Sequence, residues 1–233
     1  MKQLTIIILL ITSISLSAQK ASETQYAAYL KASKALWEKS VNEAEEAYGK
    51  ESFERAIALY GLLNNTMANQ DEETFDQYKK ETVDLLEQLI EDNEEWGEPC
   101  AVLSSVYGLI MAYSPMKGMY LGMKSSGLMD DAMKLQSESP LVQKLYAGSK
   151  LYTPEMWGGD AEKAAKAFQK SLSLFGEVEK ANNWIYLDTM MGLAMAYKKI
   201  GEETKALNTL EKAVELEPQY FWAKAELEKM GKS

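Results

Sequence analysis

Histidine is absent from these 233 residues. That one absence removes the most common general base, the Ser-His and Cys-His nucleophile pairs, and every zinc site built on imidazole. Cysteine occurs once, at Cys100, so an internal disulfide is excluded and stability must come from the core. Beyond the first eighteen residues no run is long and apolar enough to span a bilayer. Basic residues are outnumbered, 25 Lys and Arg against 35 Asp and Glu, for a net charge of −10. Nucleic acid and anionic membrane surfaces both ask for a clustered basic face, so neither is an expected partner. Only five prolines occur, at Pro99, Pro115, Pro140, Pro154 and Pro218. Between them the apolar spacing is helical, with no period-two run of β-branched residues, which predicts an all-α chain.

What is present begins with an export pattern. Lys2 supplies a positive start, Leu4 to Ile11 an apolar stretch, and Ser13, Ser15, Ser17 and Ala18 the small residues of a cleavage site. Residues 1–18 are predicted to be a signal peptide cleaved after Ala18, with Ser17 as the other position because Leu16 fits the −3 site poorly. The apolar stretch is short of the ~20 residues that a membrane anchor needs. Residues 19–233 are predicted to form a single helical-repeat domain. It comprises N-terminal repeats over 19–97, a divergent middle over 98–160, and the most regular part over 161–233.

Tyr26, Tyr29, Ala32, Leu36 and Trp37 share a stripe continued by Val41, Ala44 and Tyr48, which predicts one long helix ended by Gly49. Phe53, Ala56, Tyr60 and Leu63 belong to the next helix, so the first pair covers 23–65. Residues 71–93 open with Asp71, Glu72 and Glu73, suited to a helix N-terminus, and carry Phe75, Tyr78, Val83, Leu86 and Ile90 as their stripe. Gly97 and Pro99 mark a break. Residues 100–113 are apolar nearly all round, which predicts a buried helix with Gly108 at a close approach. The Met-rich helix over 117–136 contains Gly118, Gly122 and Gly127, each costing about 1 kcal/mol against alanine. This predicts tight packing on one side or a break near Ser125-Ser126-Gly127. Pro140 opens a further helix with Leu141, Leu145 and Tyr152. Residues 219–231 form an amphipathic cap with Tyr220, Ala223, Leu227 and Met230 on one face.

The most regular unit spans 187–220. Met190, Leu193, Ala194 and Tyr197 are followed by a turn at Gly201, then by Ala206, Leu210 and Ala213, and Pro218 closes the unit. This resembles the tetratricopeptide pattern W-x-x-L-G-x-x-Y…A-x-x-x-F…P, with Met190 in the Trp slot, Ala194 in the Gly slot and Leu210 in the Phe slot. Ala56, Tyr60 and Leu63 repeat the second-helix spacing, as do Gly159, Ala164 and Phe168 with the turn included. The resemblance implies an α-solenoid of about ten antiparallel helices that needs no cofactor and binds a protein or peptide in a concave groove. Joined to the leader, it implies a member exported to a bacterial periplasm or cell envelope. A further resemblance, to exported helical-repeat proteins that accompany substrate-binding components of bacterial transporters, rests on Trp157-Gly158-Gly159-Asp160, Glu162-Lys163-Ala164 and Phe168.

In a repeat of this type, side chains not used between helices face the groove. For the last unit these are Asp188, Met191, Met195, Lys198 and Lys199. Asp188, Met191, Gly192 and Met195 occupy the positions where some relatives hold a peptide's C-terminal carboxylate with Lys, Asn and Arg. They supply no such clamp. The Tyr152–Asp160 insert is the second candidate surface. Its glycines permit a turn and Asp160 caps the helix after it, while Trp157 either anchors the turn to a neighbouring helix or is presented with Tyr152 to a ligand.

Met111, Met116, Met119, Met123, Met129 and Met133 crowd one region. With no His or Cys beside them, packing is the expected role, and a Met-lined adaptable groove for a partner helix is the alternative ahead of copper(I) binding. The acid clusters Glu91, Asp92, Glu94 and Glu95, Asp130 and Asp131, and Glu202 and Glu203 lack the spacing of a calcium loop and are read as solvated helix ends. Cys100 is expected to be buried and inert. No catalytic residue and no metal ligand is assigned. The leading expectation is a non-enzymatic scaffold. The alternative is a small-molecule binding or transporter-accessory protein with a pocket among the middle helices.

Overall fold

The computed structural model describes residues 17–231, so all but the last two residues of the expected leader lie outside it. Eleven α-helices and no strand occur among the described residues. Packing divides them into two compact units, with the boundary between Asp92 and Asn93.

The first unit holds α1 (17–30), α2 (Lys34–Tyr48), α3 (Phe53–Asn69) and α4 (Glu72–Asp92). The long helix expected over 23–48 is in fact two. Ala32 takes a left-handed φ of 46°, and Ser33 then caps α2 by accepting from the Leu36 amide. This split is why eleven helices stand where about ten were expected. Trp37, Leu59, Leu62, Leu63, Phe75 and Leu86 form the core. Buried Arg55 on α3 ties its neighbours together, pairing with Glu45 of α2 at 2.8 Å and with Glu81 of α4. Glu43, buried on α2, faces Lys20 of α1 at 3.0 Å and Lys39 at 3.5 Å. Burial pushes the Glu43 carboxyl up, but Thr24 and the two ammonium groups outweigh it and hold the group below its ordinary value.

The second unit holds α5 (Gly97–Tyr113), α6 (Gly118–Gln136), α7 (Pro140–Tyr152), α8 (Ala161–Leu174), α9 (Trp184–Lys199), α10 (Glu203–Leu216) and α11 (Phe221–Gly231). They pack as the hairpins α5/α6, α7/α8 and α9/α10, followed by α11. The first helices also stack on one another, α5 on α7 and α7 on α9, while α8 fills the space beside α9. Glu98 fixes the direction of the stack. Its amide donates to Gln136 Oε1 at 2.9 Å, and its carboxylate accepts from Ser139 Oγ at 2.6 Å. The starts of α5 and α7 and the end of α6 therefore meet at one end. The end of α5 and the start of α6 meet at the other.

The helix over 117–136 does not break at Ser125-Ser126-Gly127. It packs tightly on α5 through a reciprocal pair of hydrogen bonds: Ser104 Oγ donates to the Ser125 carbonyl at 2.8 Å and Ser125 Oγ to the Ser104 carbonyl at 2.9 Å. The close approach expected at Gly108 lies elsewhere. Nothing stands within 4 Å of a Cβ there, whereas a Cβ at Gly97 would meet the Ala132 carbonyl oxygen at 2.9 Å. The last repeat follows its spacing. Met190, Leu193, Ala194, Tyr197, Ala206, Leu210 and Ala213 are all buried.

Candidate partner-binding surface

The inner stripe of α9 is largely used in holding the stack together. Asp188 pairs with Lys144 of α7 at 2.6 Å, and that buried ammonium also lies 5.8 Å from the centroid of the Trp184 ring. Lys198 pairs with Glu226 of α11 at 3.2 Å. Lys199 Nζ donates to the Leu151 carbonyl at the end of α7 at 2.8 Å. Met191 is fully buried, and Met195 is half-buried against the cluster of Leu151, Phe168, Leu193 and Tyr197. Gly192 is also core, since a Cβ there would stand 2.4 Å from the Phe168 ring. The expectation that these residues line an open groove is therefore corrected for Met191 and Gly192. Helix α9 packs against α7, α8 and α10, and this covers much of the stripe that spacing within one repeat assigns to the groove.

The insert after α7 is the opposite case. Its backbone is closed by its own hydrogen bonds: Trp157 N and Gly159 N donate to the Pro154 carbonyl at 2.9 and 3.1 Å, and Asp160 N to the Lys150 carbonyl at 2.8 Å. Lys150 Nζ donates to the Gly158 carbonyl at 3.3 Å. Gly158 takes φ 95°, and a Cβ at Gly159 would meet the Thr153 carbonyl oxygen at 1.8 Å, so both positions require glycine. Asp160 caps α8 by accepting from the Lys163 amide at 2.9 Å. That bond and the Lys163 ammonium hold its carboxyl below the ordinary value. On this ordered frame Tyr152 is 70 %, Met156 82 % and Trp157 74 % exposed. Trp157 does not anchor the turn to a neighbouring helix. The turn is closed by main chain and glycine, which leaves the indole in solvent.

The methionine cluster divides. Met129 is buried and Met111 and Met133 are half-buried, in keeping with packing, but Met116 and Met123 are exposed. The side chain of Met119 is not among those described. Exposure of Met116 and Met123 runs against the packing role expected for the whole group. The signal available in the sequence was their shared face with Tyr120, opposite the glycines at 118 and 122. The acid clusters at 91–95, 130–131 and 202–203 lie in solvent. No three His, Cys, Asp or Glu side chains converge as a metal site requires among the described residues. Nor is any described helix long and apolar enough to cross a membrane. Cys100 is buried, and burial, with the Asp131 charge, pushes its thiol up and away from the reactive thiolate.

A tetratricopeptide-repeat family profile matches residues 187–220, the span predicted from spacing. No curated protein matches the chain. The crystal structure of a thermophilic tetratricopeptide-repeat (TPR) protein from Thermus thermophilus superposes with a TM-score of 0.57 at 16% identity, over 94% of this chain and 97% of that one. The crystal structure of YrrB, described as a TPR protein with an unusual peptide-binding site, superposes with a TM-score of 0.43 at 17% identity, over 84% of this chain and 82% of that one. Residues 187–220 are thus matched as a tetratricopeptide repeat, and the fold of the chain is similar to that of a tetratricopeptide-repeat protein.

Proposed function

We propose that the chain is an exported, non-enzymatic scaffold that binds a protein or peptide partner. The observation that carries this reading is the insert. Its main chain is fully organised, yet it holds Tyr152, Met156 and Trp157 out in water. Exposing such side chains forgoes burial worth roughly 1.5–3 kcal/mol for a large apolar residue. Aromatic anchors of this kind dominate the energetics of protein interfaces. The repeat fold supports the same reading, because stacked helix pairs present surface and bring no chemistry of their own. The lack of histidine and of any nucleophile–base pair supports a non-catalytic role. Export is supported by Lys2, the Leu4–Ile11 stretch and the small residues up to Ala18.

Photo-cross-linking in the cells that make the protein tests the proposal. A benzoylphenylalanine placed at Trp157 is expected to give one discrete protein adduct, and the same probe at Lys198 none. The mature chain should begin at Gln19 or Ala18. An adduct from Lys198 alone, or an intact Met1 on the exported protein, would contradict the site or the export respectively.

A further inference from the structure

The turn from α5 into α6 carries a second exposed surface that the insert does not use. Met116 is 98 % exposed, and Tyr120 and Met123 follow at i+4 and i+7, both exposed. The face continues to exposed Gly127, where no atom beyond the helix's own adjoining backbone lies within 4 Å of a Cβ position. The other side of α6 is committed to α5. Gly118 and Gly122 each come to 4.0 Å from Met111 Sδ at their Cβ positions, and Ser125 bonds Ser104. The Met-Tyr-Met stripe is therefore not what holds α6 in place. A glycine inside a helix lowers its stability, and no contact within the chain requires one at 127.

Charge sets this surface apart. The chain as a whole is at −10, yet between Glu98 and Asp130 the only charged residues are Lys117 and Lys124. Both are exposed, and the Lys124 ammonium lies 5.1 Å from the centroid of the Tyr120 ring. From Met116 to Met123 the apolar ridge is edged by cations, with exposed Asp130 and Asp131 following one turn beyond Gly127, so along that stretch it is complementary to a surface that is apolar at its centre and acidic at its margin.

We propose that Met116, Tyr120, Met123 and Gly127 seat an amphipathic helix of a partner protein, apolar on the face it buries and acidic along its flank. The proposal rests on the scaffold reading and adds to it a second surface and a partner class. The positions i, i+4, i+7 and i+11 form a ridge along which a facing helix packs. Methionine adapts to the shape of what it meets. Gly127 lets the partner backbone come close, and Lys117 and Lys124 meet the acidic flank and repel a basic one. An anionic bilayer meets the same two lysines but is repelled by the acid excess of the rest of the chain.

The test titrates the mature full-length protein, labelled at its methionine methyls, with two synthetic helix-forming peptides. Both carry leucine at i, i+3, i+4 and i+7, one with glutamate flanks and the other with lysine flanks. Phosphatidylglycerol vesicles are the third probe. The glutamate peptide is expected to shift the Met116 and Met123 methyl signals saturably, and the lysine peptide to bind at least about tenfold more weakly. Vesicles should leave both signals in place. Gly127→Leu should keep or raise the thermal midpoint and abolish the shift, and Lys117→Glu with Lys124→Glu should weaken the glutamate peptide. Equal response to both peptides, no saturable shift, or a shift retained in Gly127→Leu would overturn the proposal. A response to vesicles alone would replace it with a lipid surface. A concentration-dependent shift without peptide would replace it with a second copy of the chain. The titration does not depend on cross-linking at Trp157, so this surface and the insert fail separately.

Discussion

Glycine carries two different messages in this chain. At Gly61 a Cβ would stand 2.2 Å from the buried Trp37 ring, and at Gly192 one would stand 2.4 Å from the buried Phe168 ring. At Gly127 it would meet nothing within 4 Å. Gly61→Ala is expected to lose roughly 1–2 kcal/mol, since overpacking outweighs the gain in helix propensity. Gly127→Ala should gain up to about 1 kcal/mol because only the propensity changes. Urea unfolding of the two variants checks this, and a loss at both would contradict the packing of α6. The sequence does not distinguish these glycines. Gly118, Gly122 and Gly127 look alike in one Met-rich helix, and Gly192 falls at an inward position of the repeat. Which glycine is crowded depends on how the facing helix is rotated, and spacing within one helix does not encode that. Asp160, by contrast, was legible as a cap because the bond it makes is local.

At the scale of elements, the best match to sequence spacing is the α9/α10 hairpin, where each buried position pairs with a neighbour three or four residues away. The break between α1 and α2 was not legible from periodicity, because the apolar stripe from Tyr26 to Trp37 continues across it. Its signal was Ser33, a good N-cap residue read as helix interior. Ion pairs then tie elements that the spacing only lists in order. Glu43 joins α2 to α1, and Glu226 joins α11 to α9 through Lys198. Glu226 lies below its ordinary value because Lys229 hydrogen-bonds it; burial opposes this and Lys198 adds to it. Both carboxyls are depressed in the folded state, so their stabilising contribution is present above the unfolded value of 4.5 and is lost as pH falls through the lower folded values. The thermal midpoint is therefore expected to hold from pH 7 to about pH 5 and to fall in more acid solution. Glu226→Gln should melt lower at pH 7 and lose less on acidification. A midpoint that rises below pH 4.5 would contradict the pairing.

At the scale of the whole molecule, fold class was readable early, from the helical spacing and the repeat at 187–220. The exposure of the candidate residues was only partly readable. Tyr152 and Trp157 were marked by the irregular insert, and the structure leaves both in water. Of the α9 set, Met191 is buried in the core, while Asp188, Lys198 and Lys199 are held by other helices. One repeat read alone cannot show that Lys144, Leu151 and Glu226 of other helices take up Asp188, Lys199 and Lys198. The Met116–Met123 stripe was assigned to packing ahead of a partner-helix groove because methionine spacing is the same for a core face and an exposed one. The central claim is that partners are held by the side chains exposed at the turns and not by the inner stripe of α9. Calorimetric affinity of the partner recovered through Trp157 tests it most directly, comparing Tyr152→Ala with Trp157→Ala against Lys198→Ala with Lys199→Ala. The first pair is expected to weaken binding at least about tenfold and the second to change it little, with both variants folded. The reverse order would place the site in the groove and contradict the account.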